Sequence, residues 1–294
     1  MDKKRFIYSV LGSILILPIL FTGFISNSHS SEVYIDSLTF FTSFDYGKDA
    51  DFASGDSIFY QAPSWANRHR HTPFSESPHV EIHQDEGVYR NALWIDNSYT
   101  PVFLYRADQN VTYSETNWSG TVSFWMRLSP DEDLPDGFSD PIQITSREWN
   151  DGALFVDFTD QIPRIFRFAM FADRDVWDPD KRDWDDVPVE ERPMIDVENH
   201  PFQHDEWTHI AFSFQNFNTG DSNGIVDGYI NGIHTGTLSD REQTITWSLE
   251  EVFIWLGYNY RGYLDEIAIF DRALSESEIR SIYTLPNGIG ELLD

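Results

Sequence analysis

Short alternations of apolar and polar residues recur along this chain, split by turn residues, and they restrict it to a β-rich fold. Residues 121–128 show the pattern most clearly. Val122, Phe124, Met126 and Leu128 fall on one face of an extended segment, and Thr121, Ser123, Trp125 and Arg127 on the other. Residues 153–158, 164–171, 208–214, 228–230 and 251–256 read in the same way. Asn231–Gly232, between Tyr229–Ile230 and Ile233–His234, is a hairpin signal, because both residues tolerate the left-handed backbone of a tight β-turn. This spacing favours two packed sheets over strands alternating with helices. No Gly/Ser or Pro linker and no repeat divides residues 31–294, which read as one domain.

The two ends carry further signals. In residues 264–271, Asp265, Ile267, Ile269 and Asp271 alternate with Leu264, Glu266, Ala268 and Phe270, as in a closing strand. Ser275 and Glu278 then have the spacing of a capping box, and Leu274 and Ile279 that of a hydrophobic staple, which predicts a short C-terminal helix. At the other end Lys3, Lys4 and Arg5 precede an apolar run from Phe6 to Ile25, and Ser28–His29–Ser30 offers small residues at a cleavage site. Residues 1–30 are expected to be a removable export signal, placing the protein outside the cytoplasm as a secreted, periplasmic or cell-surface protein. The alternative is an uncleaved anchor, since the run approaches the roughly 20 residues that span a bilayer. The chain has no cysteine, which excludes disulfides, thiolate metal sites and a lipid anchor on cysteine. A formal charge of −29 with very few lysines excludes nucleic acid as a partner, because phosphate binding needs a basic face. Ten tryptophans and 16% aromatic residues are ample for a sandwich core.

Five landmarks stand in order. They are Ser43–Phe44–Asp45, Gly120–Thr121–Val122–Ser123–Phe124–Trp125, Trp207–Thr208–His209–Ile210–Ala211–Phe212, Tyr229–Ile230–Asn231–Gly232 and Gly262–Tyr263–Leu264–Asp265–Glu266. Together they resemble the strands of LamG-like (laminin G type 3) jelly rolls in the concanavalin A-like lectin/glucanase superfamily, over roughly residues 38–284. The resemblance implies an all-β, two-sheet antiparallel jelly-roll sandwich closed by the short helix. An acidic insert at about 172–201 departs from a minimal member and is expected to form a loop over one sheet edge.

In many concanavalin A-like modules an Asp from each of the first and last strands holds a calcium ion. The resemblance therefore implies a structural calcium on Asp45 and Asp265, with Asp49 and Asp51 as further oxygen ligands. The alternative is that these carboxylates bond turn amides. His79, Glu81 and His83 would share one face of a strand, a set that suits a transition metal, or else form a solvated polar stripe. His209 is expected to be a structural core histidine. Asp140–Pro141–Ile142–Gln143–Ile144–Thr145 is similar to the Gln-Ile-His strand of alginate lyases, with Thr145 where the His would stand, and the E-x-D-x-E signature of family 16 glycoside hydrolases is absent. Trp177 and Trp184, amid the aspartates of the insert, are candidates for a sugar-stacking platform or for pins that hold the loop down. The expected function is that of an exported, non-catalytic module whose ligand is a polysaccharide or glycan, a ligand class implied by the resemblance. The alternatives are a cell-surface adhesion or scaffolding module that binds protein, and a polysaccharide lyase or glycoside hydrolase.

Overall fold

The computed structural model describes residues 34–293, so the expected export segment at 1–30 lies outside the described residues. In chain order the strands are β1 (Leu38–Thr42), β2 (Phe52–Ala53), β3 (Tyr60–Ala62), β4 (Thr72–Pro73), β5 (Val80–His83), β6 (Ala92–Asn97) and β7 (Val102–Arg106). They continue with β8 (Trp118–Arg127), β9 (Ser139–Thr145), β10 (Ala153–Phe158), β11 (Phe166–Phe171) and β12 (Met194–Val197). The last are β13 (Thr208–Phe217), β14 (Gly224–Ile230), β15 (Ile233–Arg241), β16 (Phe253–Tyr258) and β17 (Tyr260–Phe270). Among the described residues there are also three short helices, α1 (Pro130–Asp133), α2 (Arg174–Trp177) and α3 (Glu276–Tyr283), and a few 3-10 turns.

Two antiparallel sheets form a jelly-roll sandwich. One runs β15-β14-β13-β8-β17-β1-β2, with the β5–β6 pair joined to the first half of β17, and the other runs β12-β11-β10-β9-β16-β7-β3-β4. Period-two alternation sends Val122, Phe124 and Met126 of β8 and Ile210, Phe212 and Phe214 of β13 inward. There they meet Ile142, Ile144, Leu154, Val156, Ile254 and Leu256 from the opposite sheet in one buried cluster. The β14–β15 hairpin turns at Asn231 and Gly232, both at positive φ (52° and 69°), as the Asn-Gly signal requires.

The closing strand departs from simple alternation. A bulge opposite β8 lies between Asp265 and Ala268, and Glu266 sits at φ 50°. The extra residue shifts the phase. Leu264, Ile267 and Ile269 therefore enter the core between the sheets, while Ala268 and Phe270 face the helix side. Glu266, expected on the face of Leu264, instead leaves that core.

Helix α3 begins with the expected capping box. Ser275 N–H donates to Glu278 Oε2 at 2.8 Å, and the Ser275 hydroxyl accepts from Glu278 N–H. Leu274, Ile279 and Ile282 bury with Phe41, Ala268 and Phe270, covering the outer face of the first sheet.

The outer face of the second sheet is covered only at its sides. Trp65, in a 3-10 turn at Trp65–Arg70, stacks on Trp255 of β16 with 4.2 Å between rings. On the other side the acidic insert lays Trp177 and Trp184 against Phe155, Ala169 and Phe171. The insert is more ordered than a loop. It contains α2, and it ends in β12, which pairs with β11 as the edge of the sheet. Its fully buried Asp178 accepts from Arg174 (2.7 Å) and Arg182 (2.7 Å), so part of the acidic run is braced by its own arginines.

Candidate functional site

Strand register places one row of side chains across the uncovered outer face. Leu104, Trp255, Gln143, Phe155, Ala169 and Met194 lie opposite one another from β7 to β12. Side chains two residues along a strand share a face, so Asp157, Arg167 and Asp196, opposite one another, also point outward. Tyr258 opposite Asp140 lies three residues on, past Gly257 at φ 64°, and lines the same cleft. These rows floor a cleft of about 350 Å³. Trp65, Tyr258 and Tyr99 form one wall, Trp149 and Trp184 the other, and Phe138 lies near one end. Tyr99 and Tyr258 rings are 5.2 Å apart, and Trp149 and Trp184 rings 5.0 Å apart. Tyr99, Phe138 and Trp149 are 47%, 43% and 37% exposed, so three of the most exposed large aromatics rim this one depression. Exposed apolar surface gathered in a concavity marks a binding site rather than random surface composition.

The floor is polar. Arg167 Nε donates to Asp157 Oδ1 at 2.8 Å, and its Nη2 donates to Oδ2, a two-pronged pair with both side chains nearly inaccessible. Burial works against the guanidinium's charge, and Asp157 more than offsets it, so Arg167 stays ionised. Burial likewise raises the Asp157 carboxyl, and Arg167 opposes that rise. Asp140, beside them, has no hydrogen-bond partner among the described residues. Its burial and the charge of Asp157 push its carboxyl well above the usual carboxylate range, with only Arg167 opposing. Gln143 is 3% exposed, and its Nε2 has no partner. The floor therefore combines a closed ion pair with the Asp140 carboxyl and the buried, unpartnered Gln143 amide, the latter a deficit of about 1–3 kcal/mol.

The tryptophans of the insert part company. Trp184 lines the cleft, its ring covered on one side by Arg192 at 4.3 Å. Trp177 does not: its indole N–H donates to Asn150 O at 2.8 Å, and its ring is held by Phe171 and Arg174. Trp177 therefore acts as a pin, and the two rings form no joint platform.

Asp45 and Asp265 are brought together, as their placement in the opening and closing segments implies, and Asp45 contributes to the raised pKa of Asp265. Both carboxylates hold the loop before β6. Val88 N–H donates to Asp265 Oδ2 at 2.7 Å and Asn91 N–H to Asp45 Oδ1 at 2.9 Å. Glu266 joins them from the bulge and accepts from Ile289 N–H at 3.0 Å. Gly288, at φ 76°, leaves room for that carboxylate, since a Cβ there would lie 2.4 Å from Oε2. Burial pushes Asp265 well up, and raises Glu266 to about 8, with Asp45 adding to both. Arg90 brings a positive charge beside them, its Nε 3.9 Å from Asp45. Asp49 and Asp51 are engaged elsewhere: Asp49 accepts from Phe59 N–H at 2.9 Å, and Asp51 from Ser43 N–H at 2.6 Å. Among the described residues no group of three or more His, Asp and Glu side chains has the spacing of a metal site.

His79, His83 and His209 are each held by neighbouring groups. His79 Nδ1 bonds Asp96 O at 2.9 Å, whereas His83 lies 3.5 Å from Glu81 and stacks on Trp94, so the three residues do not converge. His209 is fully buried with Nε2 2.8 Å from Ser123 Oγ, and burial drives its ring down to about 3, leaving it neutral. Thr145, where the alginate-lyase pattern has its His, donates its hydroxyl to Gly152 O at 3.0 Å. Sequence reasoning missed Asp157 and Arg167, although each is a lone charge inside an otherwise apolar strand, a pattern that marks a paired or functional group. Apart from Trp184, it also missed the aromatic walls, which come from segments far apart in sequence.

The fold and cleft define a jelly-roll module of the lectin type, with its open aromatic depression on one sheet face. The chain belongs to the laminin G type 3 family of the concanavalin A-like lectin/glucanases superfamily, whose family model matches residues 106–280. Curated proteins yield no match. Among solved structures it is similar to domain 4 of AbnA, an extracellular GH43 arabinanase of Geobacillus stearothermophilus in complex with arabinotriose. The identity is 16% and the TM-score 0.52, over 83% of this chain and 97% of that one. It is also similar to the binding domain of botulinum neurotoxin serotype D (14% identity, TM-score 0.52, 86% of this chain and 52% of that one). The binding domain of Paraclostridial Mosquitocidal Protein 1 gives 16% identity and a TM-score of 0.50, over 84% of this chain and 52% of that one. The chain thus spans about half the length of these toxin domains. At such identities the likeness is one of fold.

Proposed function

We propose that this protein is an exported, non-catalytic carbohydrate-binding module whose glycan sits in the cleft on the outer face of the second sheet. The observation that carries this reading is the cleft itself. Its aromatic walls match the apolar faces of sugar rings, and its floor offers Asp140 and Gln143 to hydroxyl groups. The arabinotriose complex of the AbnA domain supports the ligand class. Binding without turnover is supported by the chemistry of the floor, where Asp157 is committed to Arg167 and Thr145 replaces the lyase histidine. A glycan array followed by calorimetry tests the reading. At least one oligosaccharide should bind, Trp184→Ala should weaken that binding at least tenfold, and no reducing ends should appear. Failure of every glycan to bind would refute it.

A structural calcium at Asp45 and Asp265 belongs to the same proposal. Support comes from the hard oxygen donors that Asp45, Asp265 and Glu266 bring together, and from the buried Asp265 and Glu266 carboxyls, whose raised pKa values a cation would reverse. Its role is to stiffen the loop before β6 and perform no chemistry. Export by removal of residues 1–30 predicts Ser31 as the first residue of the mature protein, and mass spectrometry of the exported fraction checks this.

A further inference from the structure

The charge balance of the cleft determines which sugars it admits. Among the described residues Arg167 is the only cationic side chain that lines it, and Asp157 takes two of its donor groups. Asp140 and Glu148 add two carboxyl groups to the lining without a basic partner. Asp196 extends the row beyond Arg167, and the phenol of Tyr258 faces Asp140 from β16. The guanidinium groups around the walls are occupied as well. Arg68 donates to Ser146 O, Arg147 pairs with Asp151 and Asp173, and Arg192 bonds Val187 O and Trp184 O. A uronate or sulfate entering the cleft would therefore be desolvated beside Glu148 and the carboxyl oxygens of the floor, and among the described lining residues it would meet no guanidinium or ammonium group that lacks a carboxylate partner. A neutral sugar meets no such obstacle. Its hydroxyls accept from the unpartnered Gln143 amide and donate to carboxylate oxygens, while its carbon faces lie against the aromatic walls.

Given the cleft as the glycan site, we propose that it selects uncharged oligosaccharides and rejects uronic acid and sulfated ones, because Asp157 closes its single cation, Arg167. The arrangement works by exclusion: specificity arises from the unpaired charge a wrong ligand would bury.

The test compares neutral glycans with charged counterparts of the same backbone, including polygalacturonate and its carboxyl-reduced product, on the full chain by array and calorimetry. Every bound neutral glycan should outbind its uronate or sulfated counterpart at least tenfold at low salt, and the ratio should shrink as sodium chloride screens the cleft. The Asp140→Asn/Asp157→Asn double variant, which leaves Arg167 without either neighbouring carboxylate, should lower the ratio at least tenfold. Glu148→Gln, an exposed change at the rim that leaves the floor intact, should lower it measurably. A charged glycan that binds as tightly as its neutral counterpart would overturn the selection while leaving the glycan reading standing. An unchanged ratio in both variants would overturn the role of the closed ion pair. Absence of binding by all glycans would instead overturn the glycan reading itself.

Discussion

Replacing Asp157 by Asn tests how the floor of the cleft is held. The Asp157–Arg167 pair is two-pronged, and the two side chains are only 4% and 9% exposed. Removing one partner of such a pair strands a buried charge, at a cost of about 3–5 kcal/mol. Arg167 cannot shed its proton, but Asp140 lies close enough to feel its charge and can ionise in place of Asp157. Asp157→Asn should then cost less than the full amount, about 2 kcal/mol. Asp140→Asn alone should cost little, because no side-chain hydrogen bond is lost and burial beside Asp157 disfavours the ionised carboxyl. The double variant removes both counterions and should reach the full 3–5 kcal/mol, so the two changes are strongly non-additive. At about 2–4 °C per kcal/mol for a domain of this size, the double variant should melt roughly 10 °C below the parent. Urea titration and calorimetry of the four proteins read the coupling. If Asp157→Asn and the double variant melt together, or if the two single changes simply add, Asp140 is not the reserve counterion and the electrostatic account of the floor fails.

Calcium should raise the melting temperature, by the equivalent of about 2.7 kcal/mol at a hundredfold excess over Kd, and chelator should remove the gain. Asp265→Asn should abolish the response, and an identical response in that variant would place the ion elsewhere. Trp177→Ala should lower the melting temperature by several degrees with glycan binding retained, whereas Trp184→Ala should do the reverse; calorimetry of each separates the pin from the wall. In α3, Glu278 is held down at about 2, first by its bond to Arg272, so the carboxylate's contribution is complete above the unfolded value near 4.5 and is lost as pH falls toward 2. Ser275→Ala should cost about 1 kcal/mol at neutral pH, and Glu278→Gln should flatten the acid limb of the melting curve.

How much of this was legible follows from which signals are local. Period-two alternation, the Asn231–Gly232 turn and the Ser275–Glu278 cap depend on neighbours within a few residues, and the structure reproduces all three. The ordered landmarks carried the family and the two-sheet sandwich. The meeting of Asp45 with Asp265 was readable too, because the resemblance places the opening and closing segments side by side. Other features depended on register. The bulge at Glu266 reverses the face of one residue, and no alternation pattern reveals where a strand will slip. Trp177 and Trp184 looked equivalent in sequence, yet a carbonyl at Asn150 claims one and the cleft keeps the other. Beyond Trp184, the cleft was not readable from the sequence. Its walls come from Trp65, Tyr99, Trp149 and Tyr258, and its floor from Asp140, Asp157 and Arg167, residues separated by tens of positions. By itself the sequence determined the strands, the turn, the cap and the acidic, cysteine-free character, since each is set by short-range sterics or by composition. Only the tertiary structure decided which charges are paired and which aromatics remain open, because burial and pairing depend on what long-range strand pairing brings together.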